Sequence, residues 1–294
     1  MTGCGVISGM RAAVIIPHHN DSLRLRRCLQ ALTRQDLSGV EIVVVDNGSA
    51  EPMEPLHRDF PQVRFVAEAQ KGAAMARNRG VAETTAPRLF FLDCDCLPAV
   101  NWLAEALRVA DRADIIGGAI DVFEETPPPR NGAQAFEAVF AFDYRAYIEE
   151  KGFSVTANLL TRRDVFQSVG PLVPGVSEDL DWCHRARARG YSLICAEEVR
   201  VGHPSRSNWL ALERKWLRLT RESFGLIPAT AVGRLKWGLR GLAMPLSILP
   251  HGAKILLSPK LSRMPERLAA LGTLIRLRFR RCGWMLLQAA GLDI

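Results

Sequence analysis

The chain has 294 residues, 48% of them apolar and 23% charged, a composition that supplies a sizeable globular core and excludes a disordered or fibrous protein. Its seven cysteines form no Cys-x-x-Cys pair, which argues against a disulfide framework or a zinc site and fits a reducing, cytoplasmic compartment. The net charge of +7 is divided unevenly: residues 204–294 carry 16 Lys+Arg against 4 Asp+Glu, and residues 1–203 carry 22 against 27, so the C-terminal region is expected to dock on something anionic.

Residues 1–10 read as a disordered leader, with no signal peptide, because only Arg11 is basic and it follows the weakly apolar opening. Residues 12–17 form a first strand, and Asp21 or Ser22 caps a helix through about residue 33. A second strand over 41–46 (EIVVVD) runs into the turn Asn47-Gly48-Ser49, and a third spans 63–67. Residues 71–81 read as a glycine-initiated helix before the apolar fourth strand Leu89-Phe90-Phe91-Leu92. Asn101 caps a helix over 102–112, and 115–122 is a fifth strand. This alternation predicts a doubly wound, Rossmann-like, mostly parallel α/β sheet flanked by helices.

The run Pro127-Pro128-Pro129 marks a loop, followed by a helix near 134–149 and a glycine-containing stretch into 154–161. A helix over 177–189 opens on three carboxylates, and two short strands, 192–196 and 199–201, precede His203-Pro204. After Pro204 the texture becomes basic and helical, with helices over 209–224 and 265–287 on either side of the mostly apolar 239–257. The expected organisation is a leader (1–10), a catalytic domain (11–204) with a nucleotide-binding half (11–122) and an acceptor half (123–204), and a basic amphipathic region (205–294).

Asp93-Cys94-Asp95 closes the fourth strand, where open α/β sheets bind their ligands. Two acceptor-only carboxylates at such a place suit a hard cation holding a diphosphate. Asp46 ends its own strand in the same way and can accept hydrogen bonds from a base or a ribose. Lys71-Gly72 begins a helix whose N-terminus favours a phosphate, and glycine there admits close backbone approach.

In this order the pieces resemble family 2 glycosyltransferases. Val14-Ile15-Ile16-Pro17-His18-His19-Asn20 looks like their opening strand, and residues 42–49 (IVVVDNGS) resemble their nucleoside-binding segment. Gly72-x-x-x-Ala76-Arg77-Asn78-x-Gly80 is similar to the helix that follows, and Leu92-Asp93-Cys94-Asp95 stands where the family carries its D-x-D metal motif. Thr156-Ala157-Asn158-Leu159 with Arg162-Arg163-x-Val165-Phe166-x-x-Val169-Gly170 looks like the acceptor-side segment. Ser177-Glu178-Asp179-Leu180-Asp181-Trp182-Cys183-x-Arg185 resembles the segment bearing the base.

The resemblance implies a GT-A fold and metal-assisted transfer of a single sugar from a nucleotide-sugar, UDP-linked by expectation, with inversion at the anomeric carbon. It implies donor contacts at Pro17, Asn20, Asp46, Lys71, Gly72, Arg77, Asn78 and Asp93, and a divalent cation, Mn or Mg, on Asp95 with His203 as a further ligand. Asp179 would be the base and Glu178 would contact the acceptor or orient the site. Asp179 and Asp181 lie about 200° apart on a helix at roughly 100° per residue, so one of them faces the reaction. His18-His19 replaces the family's usual Thr-Tyr, and Leu212-Glu213-Arg214-Lys215-Trp216 lacks the Gln and Arg of the processive members' Gln-x-x-Arg-Trp.

Two prolines, Arg240 and Lys254 disfavour a membrane span over 239–257. Basic helices bearing Trp209, Trp216, Trp237 and Trp284 instead read as an interfacial region on an anionic membrane surface, against the bland alternative of a solvated basic face. The expected placement is peripheral, at the inner face of the cell membrane, with a glycan or lipid-linked acceptor and no nucleic acid. Two other readings remain at this level. A sugar-phosphate nucleotidyltransferase would need a Gly-rich basic loop that Pro17-His18-His19-Asn20 does not supply, and a non-catalytic membrane binder would leave the acidic constellation idle.

Overall fold

A computed structural model describes residues 9–294. Residues 1–8 of the expected leader lie outside the described residues, whereas Gly9 and Met10 are exposed chain ahead of the first strand. The chain divides into two compact units. The first gathers the residues up to Asp121 with Tyr144–Pro174 and Glu178–His203, and the second gathers Val122–Asp143, Gly175–Ser177 and Pro204–Ile294.

In chain order, β1 (Ala12–His18) leads to α1 (Ser22–Leu32), β2 (Val40–Asp46), α2 (Glu54–Asp59), β3 (Arg64–Ala67) and α3 (Ala73–Ala82). Next come β4 (Arg88–Leu92), β5 (Leu97–Pro98), α4 (Trp102–Val109) and β6 (Ile115–Phe123). After α5 (Gly132–Phe140) the chain continues through α6 (Tyr144–Glu149), β7 (Asn158–Arg162), α7 (Arg163–Val169), α8 (Glu178–Ala188) and β8 (Leu193–Pro204). The last helices are α9 (Trp209–Gly225), α10 (Ala231–Ala243), α11 (Ile248–Leu256) and α12 (Met264–Ala289).

The α/β unit is built on an eight-stranded sheet in the order β3-β2-β1-β4-β7-β6-β8-β5. β1 pairs in parallel with β2 and β4, and β2 with β3. All seven residues of β1 are buried, as a central parallel strand covered on both faces requires. The fifth predicted strand, β6, runs in the direction of β4 but is not its neighbour. β7 inserts between them and pairs antiparallel with both, so the parallel rhythm of the sequence is interrupted without being reversed. On one face, Leu89, Phe91, Leu159, Phe166 and Trp182 belong to one buried cluster, with Phe166 and Trp182 stacked at 5.6 Å.

The helical unit has its own core, in which Phe136, Val139, Leu212, Ile255, Leu274 and Leu277 pack together. α5 and α12 approach closely: a Cβ on Gly132 would lie 2.8 Å from the Ala269 carbonyl oxygen. Asn131 starts α5 with a capping box shared with Gln134. Glu137 is buried on the same helix, accepting from the Arg206 backbone N–H at 2.6 Å and from Lys215 Nζ at 2.5 Å. Burial works against its carboxylate, but Lys215 and Arg206 outweigh that cost and hold it below the usual range.

Several boundaries differ from the sequence reading for physical reasons. The single helix expected over 134–149 is two, because Ala141 is extended and Phe142 adopts a left-handed φ of 51°. The two strands expected over 192–201 are one continuous β8. Neither Asp21 nor Asn101 supplies the side-chain cap expected of it, and the Asp21 carboxylate pairs with Arg24 instead. The apolar stretch 239–257 breaks after Ala243 into a tight turn at Pro245–Ser247 before α11. Among the described residues, no helix is long and apolar enough to cross a membrane.

Candidate active site

β4 is fixed between β1 and β7 and ends at Leu92, so the next residues leave the sheet at a defined place. The Asp93 N–H donates to Ala157 O at 3.4 Å, and the Cys96 N–H returns to Asp93 O at 3.1 Å. This turn presents Asp93 and Asp95 beside His203, which is buried near the end of β8 with Nε2 3.4 Å from Asp95 Oδ2. One ligand atom from each of Asp93, Asp95 and His203 lies within 4.8 Å of the others. Two carboxylates and an imidazole grouped in this way are a donor set of the kind that holds a divalent cation. Burial first, and then Asp95 and Asp93, push the Cys94 thiol well above the usual range.

Arg77 connects this cluster to α8. Its guanidinium is buried, donating through Nη2 to Asp93 Oδ1 at 2.5 Å and through Nη1 to Glu178 Oε1. Burial alone would weaken its charge, yet Asp93 and Glu178 raise its pKa above the ordinary value. Asp179 follows Glu178 and accepts from the Leu180 N–H at 2.8 Å. Desolvation raises its carboxyl above the usual range, with Asp93 adding to the effect while the Leu180 N–H and Arg77 oppose it. Asp181 is engaged differently, accepting from Arg185 Nε at 2.9 Å in an i,i+4 pair.

A second group gathers where β1 and β2 end. His18 and Asp46 are register partners, and His18 Nδ1 lies 3.1 Å from Asp46 Oδ1. His18 Nε2 accepts the Asp21 backbone N–H at 3.1 Å, so the neutral ring carries its proton on Nδ1 and donates to Asp46. Burial opposes the charge of Asp46, but hydrogen bonds from Ser49 and His18 prevail and hold it below the usual carboxylate range. Asn20 ties the two strand ends together: its N–H donates to Ser49 Oγ at 2.8 Å and its Oδ1 accepts from Ala50 N at 2.7 Å.

The remaining sequence-predicted residues fall in different settings. Pro17 is buried within β1 opposite Val45. Lys71 and Gly72 are exposed ahead of α3. Gly72 has a φ of 124°, which only glycine adopts without strain, and its N–H donates to Asn47 Oδ1 at 2.7 Å. Asn78 spends both ends of its amide on the backbone of Leu172 (2.9 and 3.0 Å), away from the acidic cluster. Gly80 serves packing, since a Cβ there would lie 2.4 Å from Ile15 Cγ2.

Sequence reasoning passed over two residues. His18 was seen only as a departure from a pattern, although its place at the end of a buried strand beside Asp46 in register was the available signal. Asn47 read as turn chemistry, yet its amide also grips Glu68 O at 3.0 Å and Gln70 O at 2.7 Å, fixing the loop before α3.

Comparison with known proteins agrees with this architecture. The chain matches the family model for glycosyl transferase family 2 over residues 13–170. It is 31% identical over 207 residues to glycosyltransferase AglE of Haloferax volcanii, covering 66% of this chain and 67% of that protein. An uncharacterised glycosyltransferase of Nostoc sp. is 27% identical over 176 residues, and the match spans 55% of its length. Among solved structures, the mannosyltransferase PcManGT of Pyrobaculum calidifontis, in complex with GDP-Man and Mn2+, superposes with a TM-score of 0.54 at 18% identity, covering 98% of this chain and 77% of that one.

Proposed function

Since this chain belongs to glycosyltransferase family 2 and has a GT-A fold, we propose that it transfers one sugar from a nucleotide-sugar to an acceptor hydroxyl, inverting the anomeric centre with the help of a divalent cation. The observation that carries this reading is the grouping of Asp93, Asp95 and His203, joined through Arg77 to Glu178, the neighbour of Asp179, whose carboxyl burial has raised. Family membership sets aside the nucleotidyltransferase reading and the purely membrane-binding one.

In this proposal Asp46, oriented by His18, accepts hydrogen bonds from the nucleobase, uracil by expectation, and Asn20 keeps the strand ends in place. Gly72 at the mouth of α3 leaves room for the donor, and Lys71 supplies an exposed cation beside it. Asp95 and His203 would hold the cation, Mn or Mg, with Asp93 facing both the ion and Arg77. When bound, the ion would neutralise the developing charge of the nucleoside diphosphate leaving group.

Arg77 and Glu178 then act together to place Asp93 and the start of α8. Asp179 would take the proton from the attacking hydroxyl, and a raised pKa makes a carboxylate a better general base at neutral pH. Attack from the side opposite the leaving group inverts the anomeric carbon. Asn78 reads as a structural clamp rather than a donor contact.

The helical unit supports a peripheral membrane role at the inner face, suited to a glycan or lipid-linked acceptor. From Leu226 to Leu292 it exposes sixteen large apolar side chains, among them Leu235, Leu239, Leu242, Leu246 and Leu249. Exposed apolar residues interleaved with Arg and Lys are the signature of an interfacial helix set.

The test is a panel of nucleotide-sugars offered to the full chain with Mn or Mg, scored by nucleoside diphosphate release and by the anomeric configuration of the product. One donor turned over with inversion is expected. A product that retains the donor's configuration would overturn the assignment of Asp179.

A further inference from the structure

In the helical unit, we propose that Arg278 and Arg281 of α12, with Trp216 of α9, form a binding site for a phosphate-class dianion, a phosphomonoester or diphosphate. α12 carries four arginines within six residues, and two of them are accounted for. Arg280 Nε donates to Glu213 Oε1 at 2.7 Å, and the Arg276 guanidinium lies over the Trp209 ring at 4.0 Å. The other two each keep a buried Nε that has no hydrogen bond among the described residues. Arg278 is only 7% exposed, its Nη1 lies 4.0 Å from Met244 Sδ, and its Nε is buried without a partner among the described residues. Arg281 sits over the Trp216 ring at 4.6 Å with its own Nε buried and unbonded, and Trp216 Nε1 is buried and unbonded as well.

The acids of the surrounding helices are committed elsewhere. Glu213 holds Arg280, Glu222 pairs with Arg218, and Glu266 accepts from the Arg130 backbone N–H through Oε1 while its Oε2 is buried without a hydrogen bond among the described residues. Desolvation lowers the pKa of both arginines, and Arg278 and Arg240 repel Arg281 further, bringing it to about 10.

Withdrawn cations with no counter-charge are costly in a fold. An anion with several acceptor oxygens removes that cost. Guanidinium forks match phosphate geometry, the indole N–H adds a further donor, and two positive charges call for a dianion more than a single carboxylate. The inference is independent of the proposed sugar transfer, which concerns the other unit.

The experiment uses the full chain in metal-free buffer, so that the acidic cluster of the α/β unit gives added phosphate no metal to bind. Inorganic phosphate and pyrophosphate are titrated against chloride at matched ionic strength, with thermal unfolding as the readout. We expect an upward shift of roughly 2–4 °C that saturates with phosphate or pyrophosphate but not with chloride. Arg278→Met/Arg281→Met should unfold no lower than the wild type without phosphate and lose the shift. Arg281→Met alone, at a half-buried position, should weaken the shift if the double variant does not fold.

Flotation with phosphatidylcholine vesicles, with and without phosphatidic acid, separates the sources. Phosphatidic-acid-dependent binding lost in the variant identifies a lipid headgroup, and binding equal in both assigns the site to a soluble phosphate. Absence of any phosphate-specific shift in the wild type, or its full retention in the folded variants, would overturn the proposal.

Discussion

Arg77 in the α/β unit and Arg278 in the helical unit are both buried, at 4% and 7% exposure, and each leaves its Nε without a partner. Their surroundings are otherwise opposite. Arg77 grips Asp93 and Glu178 through its two Nη groups, whereas Arg278 Nη1 lies 4.0 Å from a thioether sulfur. The same helical unit does neutralise a buried charge where the charge is structural, at Glu137 with Lys215 and Arg206. The contrast teaches that a fold pairs the buried charges it needs for itself. At Asp179, and at the Nε atoms of Arg278 and Arg281, burial is left without full compensation, and these are the places where we assign chemistry or a ligand to complete the pairing.

The largest expected effect lies on Asp179. Asp179→Asn should lower kcat about 10²–10⁴-fold, the contribution typical of a positioned base. The folded-state pKa of Asp179 is raised. Its contribution to stability is therefore fully present below the unfolded-state pKa and lost as pH rises through the folded one. At neutral pH the carboxylate is thus a burden, and the amide should leave Tm unchanged or higher. Turnover should fall on acidification through a pKa displaced upward from that of ordinary aspartate, read from a kcat profile against pH.

Glu137→Ala should be next, destabilising the protein by about 3–5 kcal/mol in urea unfolding because it strands the Lys215 ammonium. Arg77→Met should cost about 3 kcal/mol, the low end of that range, since Asp93 and Glu178 keep about a quarter and a fifth of their side-chain surface open to solvent. Arg278→Met/Arg281→Met should show no such loss, and a comparable destabilisation there would break the comparison. Asn131→Ala removes a paired cap without touching a buried charge, and should cost only about 1 kcal/mol.

Much of the α/β unit was legible because strand ends and apolar runs are local signals. β1, β2 and β4 appear where the sequence predicts them, and Asp46 and Asp93 leave their ends as expected. The insertion of β7 between β4 and β6 was not legible, because pairing order depends on contacts among residues distant in the chain. The break at Phe142 carried no Gly or Pro to announce it. In the site, side-chain types and spacing pointed to Asp93, Asp95 and His203, but the hydrogen bond that fixes Asp46 depends on the register of β1 against β2. The crowding of Arg276, Arg278, Arg280 and Arg281 was visible as composition. Which two of them keep a buried Nε without a hydrogen bond among the described residues became visible only once α9 and α10 were packed beside α12.

The most direct test of the central claim is nucleoside diphosphate release from a nucleotide-sugar by the full chain, measured with Mn and with a chelator, for the wild type and Asp95→Ala. The account predicts turnover by the wild type with Mn, and near-complete loss with the chelator or in the variant while the circular dichroism spectrum is preserved. Turnover that persists unchanged in Asp95→Ala, or in the presence of the chelator, would contradict it.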